Sequence, residues 1–143
     1  ASKSNIRICR NYSSVAMGGV SKISQIYVTS LLKLDRVRQA KHALCIFYNN
    51  QRLRYGEALT AMGCILYSGN GGFYHWFKLP GDLTADEFNN RLFRHDAAIL
   101  PGTLCDILRR GDSSPFKQFV RFSFGPLHVD SFENDIEILK KCL

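Results

Sequence analysis

The first half of the chain repeats its apolar residues with the period of an α-helix. From Ser21 to about Leu34 this spacing predicts a first helix. Its apolar stripe consists of Ile23, Ile26, Tyr27 and Leu31. A second, longer helix is predicted from Asp35, which favours the N-cap position, to Gly63, which suits the position after the last turn. Together these helices would form a long helical arm.

The segment before the arm has no such period. Residues 1–19 are polar and irregular and end in the break M-G-G. Glycine pairs interrupt regular structure, so we expect an extended lead-in that connects to something upstream.

After Gly63 the spacing of the apolar residues changes from a helical period of 3.6 to a strand period of 2. The runs C-I-L-Y (64–67) and F-Y-H-W-F-K-L (73–79) flank S-G-N-G-G, which contains the residue types that tight turns need. This pattern predicts a β-hairpin, which Pro80 and Gly81 end.

The remaining elements alternate between helix and strand. Thr84 with Glu87 three residues later forms a capping box that opens a helix through about Arg94. The run A-A-I-L (97–100) predicts a short strand stopped by Pro101 and Gly102. Residues 103–117 are rich in Gly, Asp and Ser and predict a loop with one helical turn.

The chain ends with a strand and a helix. Residues 119–124 predict the last strand, and Asp130 is the expected N-cap of a terminal helix. The buried stripe of that helix is predicted to be Phe132, Ile136 and Leu139. This order of elements fits an α+β fold, in which helices cover one face of a small, mainly antiparallel sheet preceded by the helical arm.

Composition narrows the class of protein. The 143 residues are 45% hydrophobic and 22% charged, as in a folded domain that buries about two thirds of its surface. No apolar run of about 18 residues exists, and the N-terminus lacks the apolar core of a secretory signal. We therefore expect a cytoplasmic protein without a membrane span.

Cysteines and histidines give no metal pattern. Five cysteines occur without a C-x-x-C pair, and we interpret them as reduced thiols that mostly fill the core. The four histidines are far apart along the chain and show no ligand spacing with the cysteines. A metal site is therefore not expected.

The net charge of +7 indicates affinity for polyanions. Basic residues recur in one amphipathic stretch, which a solvated helical face also explains. They are Arg36, Arg38, Lys41, Arg52 and Arg54. One open alternative is a nucleic-acid-binding module, in which Arg36, Arg38 and Lys41 contact phosphates and Phe73 or Tyr74 stacks on bases. Another is an amino-acid-sensing regulatory domain of the same fold class.

Four motifs in the second half of the chain resemble, in their order, those of a known protein family. They are A-L-T-A-M-G-C at 58–64, G-G-F-Y-H-W-F-K-L-P at 71–80, A-I-L-P-G at 98–102 and V-R-F-S-F at 120–124. In this order they resemble the small C-terminal domain of fold-type I, class I and II aminotransferases that depend on pyridoxal 5'-phosphate (PLP). The match begins near Met17, and within the family the chain looks like the valine–pyruvate type. Residues 20–143 would be that domain, and residues 1–19 would lead in from a missing large domain.

The resemblance offers a role for Arg121, an arginine between residues that suit a sheet interior. It implies that Arg121 binds the α-carboxylate of the substrate. A planar guanidinium matches a carboxylate in a bidentate pair, and burial between Phe119, Phe122 and Phe124 would strengthen that pair. An arginine that faces solvent or an internal acid is the other possibility.

The resemblance also implies what this chain lacks. The Schiff-base lysine and the phosphate donors lie in the large domain of the family, so we expect no PLP on this fragment and no activity from it alone. Lys22 in V-S-K looks superficially like the Schiff-base lysine, but no arginine follows it at the family's spacing. It is better interpreted as a first-turn helix residue.

The implied full-length enzyme is a homodimer that transfers an amino group between an amino acid and a 2-oxo acid. In this cycle the small domain closes over the substrate. Residues 13–19 match a stretch that approaches the active site of the other subunit, with Gly18 and Gly19 at its end.

Overall fold

The computed structural model describes residues 2–19 and 21–143 and divides into two compact units, residues 1–43 and 44–143. The first unit contains helices α1 (Lys3–Tyr12) and α2 (Lys22–Thr29), with a π-helical turn at Ser13–Met17. The first turns of α3 (Leu34–Ala61) also belong to it. No residue of α1 or α2 is buried within the chain.

The expectation of an extended lead-in is wrong, because Lys3–Tyr12 form a helix. Ser2 caps it, and its side-chain oxygen accepts a hydrogen bond from the Asn5 amide at 3.2 Å. This cap satisfies an amide that the helix itself leaves without a partner. Ile6, Cys9 and Tyr12 do recur at helical spacing, but the polar residues between them and the following M-G-G concealed the helix.

Two further boundaries in the arm differ from the prediction. Helix α2 ends at Thr29, one turn earlier than expected, and Asp35 lies inside the first turn of α3. There its carboxylate is favourably placed near the positive end of the helix dipole.

The predicted end of α3 is confirmed, because Gly63 has φ +84° and follows the last turn. The amides of Gly63 and Cys64 donate to the carbonyls of Thr60 and Leu59, the paired bonds of a glycine-ended helix.

The second unit contains a four-stranded antiparallel sheet in the order β1-β2-β4-β3. Its strands are β1 (Ile65–Leu66), β2 (Tyr74–Lys78), β3 (Leu100–Pro101) and β4 (Phe119–Ser123). Helices α4 (Ala85–Phe93) and α5 (Phe132–Cys142) complete the unit. The α+β prediction is confirmed, and so are the hairpin and the capping box between Thr84 and Glu87.

Three chain segments differ in detail from their predictions. Strand β3 includes Pro101, which an edge strand tolerates because its missing amide faces no neighbour. Residues 103–117 hold two short 3₁₀ turns, and Asp106 anchors this loop through two hydrogen bonds with Arg110 at 2.9 and 3.1 Å. Asp130 is not a helix cap, since it lies in a 3₁₀ turn before α5 whose own cap is the side chain of His128.

The core lies on the helical face of the sheet. Its fully buried aromatic residues are Tyr55, Phe77, Phe88 and Phe124. In α5 the buried residues are Ile136, Leu139 and Cys142, while Phe132 packs at the margin. Tyr55 donates a hydrogen bond to Asp135 at 2.7 Å, which links α3 to α5.

The five cysteines are more exposed than the sequence predicted. All five cysteines are free, but only Cys64 and Cys142 are buried. The prediction that most of them fill the core is therefore wrong. Among the described residues, no helix combines the length and apolarity that crossing a membrane requires.

Gly102 is required where β3 turns into the following loop. A Cβ at this position would lie 2.5 Å from the Phe116 carbonyl oxygen and 2.7 Å from that of Phe119. Backbone atoms cannot yield as a flexible side chain can. Gly102→Ala should therefore lower the free energy of unfolding by about 1–3 kcal/mol. Chemical denaturation measures this change. Gly69→Ala, where a Cβ meets nothing within 4 Å, is the control that should stay near the original value.

The pH dependence of stability follows from His75. Its Nε2 donates to the Arg52 carbonyl at 2.9 Å, and its Nδ1 is 2.9 Å from the Ser68 hydroxyl. Burial lowers the pKa of His75 below its usual 6.5. The unfolded chain thus binds the proton more readily, so stability is complete above pH 6.5 and is lost as the pH falls toward the folded pKa.

Denaturation across this pH range measures that loss. His75→Gln should flatten the decline, whereas His95→Gln, at an exposed position, should preserve it. An equal decline in both variants would contradict the assignment to His75.

Candidate functional site

Arg121 lies in the middle of β4, an inner strand of the sheet. Trp76 of β2 pairs with it on one side and Leu100 of β3 on the other. Side chains alternate along a strand, and here Val120 and Phe122 face the buried core. Arg121 therefore projects from the opposite face, which the core helices do not cover.

The structure corrects the surroundings predicted for Arg121. Phe122 and Phe124 lie in the core on the other side of the sheet, with ring centroids 5.2 and 6.4 Å from that of Tyr55. Only Phe119 shares the face of Arg121. The guanidinium is thus not enclosed between phenylalanines, because successive strand residues point in opposite directions.

One aromatic ring lies against Arg121 on its own face of the sheet. The guanidinium carbon lies 4.7 Å from the centroid of the Tyr74 ring, a cation–π distance. Further along this face Trp76 stacks on Phe119 at 5.5 Å, and Phe119 contacts Tyr67 at 5.4 Å. The Tyr74 ring thus covers part of the guanidinium, and the other rings lie further along the same face.

Arg121 has no acidic partner among the described residues. The ion pairs there join Arg38, Arg110, His128 and Lys141 to nearby acids, and Arg121 is in none of them. Its Nε is buried and has no hydrogen-bond partner within residues 2–19 and 21–143. A buried donor without an acceptor costs about 1–3 kcal/mol. The unsatisfied donor and the unpaired charge make Arg121 a candidate binding residue.

The other predicted site residues lie in the first unit. Lys22 is exposed and begins α2 after the cap residue Ser21, which confirms its interpretation as a first-turn residue. Gly18 has φ +64°, and a Cβ at Gly18 or Gly19 would meet nothing within 4 Å. Their approach to an active site stays a prediction.

Sequence reasoning missed the contact between Tyr74 and Arg121. From the sequence, Tyr74 stands out only as a stacking surface for bases. The signal that could have revealed the contact is the pairing of β2 with β4, since both strands alternate between core and open face. The register itself could not be obtained from the sequence.

Solved structures resemble this chain closely in fold. An α-aminoadipate aminotransferase from Thermus thermophilus, complexed with N-(5'-phosphopyridoxyl)-L-leucine, matches 100% of this chain and 36% of its own, at 18% identity and a TM-score of 0.74. The valine–pyruvate aminotransferase of Salmonella typhimurium matches 99% of this chain and 38% of its own, at 16% identity and a TM-score of 0.73. A probable N-succinyldiaminopimelate aminotransferase, also from Thermus thermophilus, matches 67% and 24%, at 25% identity and a TM-score of 0.54.

The chain has the fold of an aminotransferase small domain. It spans between 24% and 38% of the length of these enzymes. No family model and no curated protein matches the sequence. The valine–pyruvate enzyme is no more identical to it than the others, so that subfamily stays a prediction.

The unsatisfied Nε of Arg121 should reduce the stability of this chain. Arg121→Met removes the unsatisfied donor while it preserves an unbranched, apolar stem. It should raise the free energy of unfolding by about 1 kcal/mol. Chemical denaturation measures the difference.

The matched control is Arg91→Met. Arg91 donates to the carbonyls of Cys142 and Leu143 at 2.9 and 3.3 Å, so its loss should lower stability. If Arg121→Met were as destabilising as Arg91→Met, Arg121 would be a structural residue.

Proposed function

We propose that this chain is the C-terminal part of a PLP-dependent aminotransferase and that Arg121 binds the α-carboxylate of its amino acid and 2-oxo acid substrates. The observation that carries the proposal is the Arg121 guanidinium on the open sheet face, without an acidic partner among the described residues. The shared fold supports the same class of enzyme.

The chemistry of carboxylate binding follows from the guanidinium. Arginine stays charged at any physiological pH and offers its donors in one plane, which matches two carboxylate oxygens. The Tyr74 ring covers one face of the guanidinium and would shield that side of the pair from water. An ion pair gains strength where the surroundings are less polar, so this position suits a substrate anchor.

The cofactor would be held by another part of the longer protein. PLP supplies an electron sink at the substrate α-carbon. Lys22 lies exposed at the start of α2, as a first-turn helix residue does. The role of this chain is therefore to bind and orient the substrate, and to exclude water as the domain closes.

The partners follow from the same proposal. Amino acids and 2-oxo acids are the substrates, the PLP-bearing large domain is the neighbour, and the complete enzyme is a cytoplasmic homodimer. Gly18 and Gly19 lie on the stretch that approaches the second active site. The chain alone is inactive and binds no PLP.

Nucleic acid binding has less support. Residues 1–43 contain eight lysines and arginines and one aspartate, whereas basic and acidic residues are equal in number in residues 44–143. The predicted phosphate contacts Arg36, Arg38 and Lys41 belong to the first unit, whereas the predicted stacking residues Phe73 and Tyr74 belong to the second. The two groups are therefore not parts of one compact unit. Tyr74 already stacks on Arg121. Amino acid sensing would require the same Arg121, and cofactor-dependent turnover distinguishes it from the proposed enzyme.

Steady-state kinetics of the longer, PLP-loaded protein test the proposal. Arg121→Ala should raise KM for both substrates by about 30-fold or more, because loss of one partner of a hydrogen-bonded charge pair costs about 2–5 kcal/mol. Arg121→Lys retains the charge but not the planar fork, and should give an intermediate KM. Absorbance of the bound cofactor should be unchanged in both.

The control is Arg94→Ala, at an exposed position after α4, which should leave KM unaltered. An unaltered KM in Arg121→Ala would remove Arg121 from the substrate site.

A further inference from the structure

The ring of Tyr74 lies against the guanidinium of Arg121. In the β2–β4 register Tyr74 pairs with Ser123, and Trp76 pairs with Arg121. Tyr74 is therefore the diagonal neighbour of Arg121, a separation that an aromatic ring and a long side chain can bridge. The directly opposite residue, Trp76, instead stacks on Phe119 at 5.5 Å with an angle of 18° between the rings.

Tyr74 is itself held in place from the side. Its ring meets that of Phe73 edge to face at 5.8 Å. The Phe73 carbonyl accepts a hydrogen bond from the Gly125 amide at 2.9 Å. A Cβ at Gly125 would lie 2.9 Å from that of Phe73, so the glycine permits this close approach. Phe73 also contacts Tyr48 of α3, with ring centroids 6.4 Å apart.

No hydrogen bond or ion pair with a described residue fixes the Arg121 head group. The orientation of the guanidinium therefore depends on packing, and the Tyr74 ring is its cation–π contact. A ring face attracts the cation without accepting the in-plane N–H donors. An acidic side chain would hold the arginine equally well, but it would compete with a ligand carboxylate for those donors.

We propose that Tyr74 is a positioning residue for Arg121, which holds the guanidinium with its terminal donors free for an incoming carboxylate. This inference rests on the proposed function, because it assumes that Arg121 binds a carboxylate. It adds a residue of β2, and through Phe73 a link to α3, to the substrate-binding apparatus.

Nuclear magnetic resonance of the Arg121 side chain in the 143-residue chain tests this role. Tyr74→Phe retains the ring, and Tyr74→Leu replaces it with an aliphatic group. Tyr67→Leu is the matched control, since Tyr67 lies on the same aromatic surface but contacts Phe119. The Arg121 Nε–Hε signal should show a ring-current shift that Tyr74→Phe and Tyr67→Leu retain and Tyr74→Leu loses. Thermal melts verify that each variant folds.

Titration with pyruvate at constant ionic strength gives the functional readout. Tyr74→Leu should weaken binding by about fivefold to thirtyfold, as expected for loss of a partly desolvated cation–π contact. Tyr74→Phe and Tyr67→Leu should stay within about twofold of the unsubstituted chain, since each retains the ring beside Arg121. Equal affinities of Tyr74→Leu and Tyr74→Phe for pyruvate would overturn the inference, whether or not both are weaker than that of the unsubstituted chain.

Arg121→Ala distinguishes a failure of the role given to Tyr74 from a failure of the proposed function. If it abolishes the response to pyruvate while Tyr74→Leu leaves affinity unchanged, only the role of Tyr74 fails. If pyruvate binds Arg121→Ala as well as the unsubstituted chain, or produces no saturable shift at Arg121, the proposed function fails and this inference fails with it.

Discussion

The site depends on one guanidinium that this fold places on a sheet but does not neutralise. Some other cations are paired within the chain, as when Arg110 pairs with Asp106 and Arg91 donates to the carbonyls of Cys142 and Leu143. Arg121 receives only the face of an aromatic ring, and its Nε has no acceptor among the described residues. Such an arrangement lowers stability and prepares the cation for a negatively charged partner.

The sheet provides the rigidity that this arrangement needs. Strand β4 is paired on both sides, so the backbone of Arg121 is fixed by β2 and β3. Two glycines allow the close contacts at its ends, Gly102 against the carbonyls of Phe116 and Phe119 and Gly125 against Phe73. The buried His75 connects β2 to α3 through the Arg52 carbonyl. The proposed carboxylate site therefore depends on Gly102, Gly125 and His75 as well as on Arg121 itself.

Local signals in the sequence predicted much of the fold, whereas the pairing of distant strands could not be predicted from them. The capping box at Thr84 and the glycine at 63 identified helix ends, since both act within a few residues. The helix α1 escaped prediction because its spaced apolar residues, Ile6, Cys9 and Tyr12, lie among many polar ones. Asp130 failed as a cap because His128 caps an earlier turn. Arg121 could be selected from its sequence, but its contact with Tyr74 depends on a register that only the folded sheet defines.

A structure of the longer protein with PLP and a bound substrate analogue measures the decisive distance. If the account is right, the substrate carboxylate oxygens lie about 2.7–2.9 Å from the terminal nitrogens of Arg121, with the ring of Tyr74 still against the guanidinium. A carboxylate bound by a different cation, with Arg121 paired to an acidic residue of the protein, would contradict it.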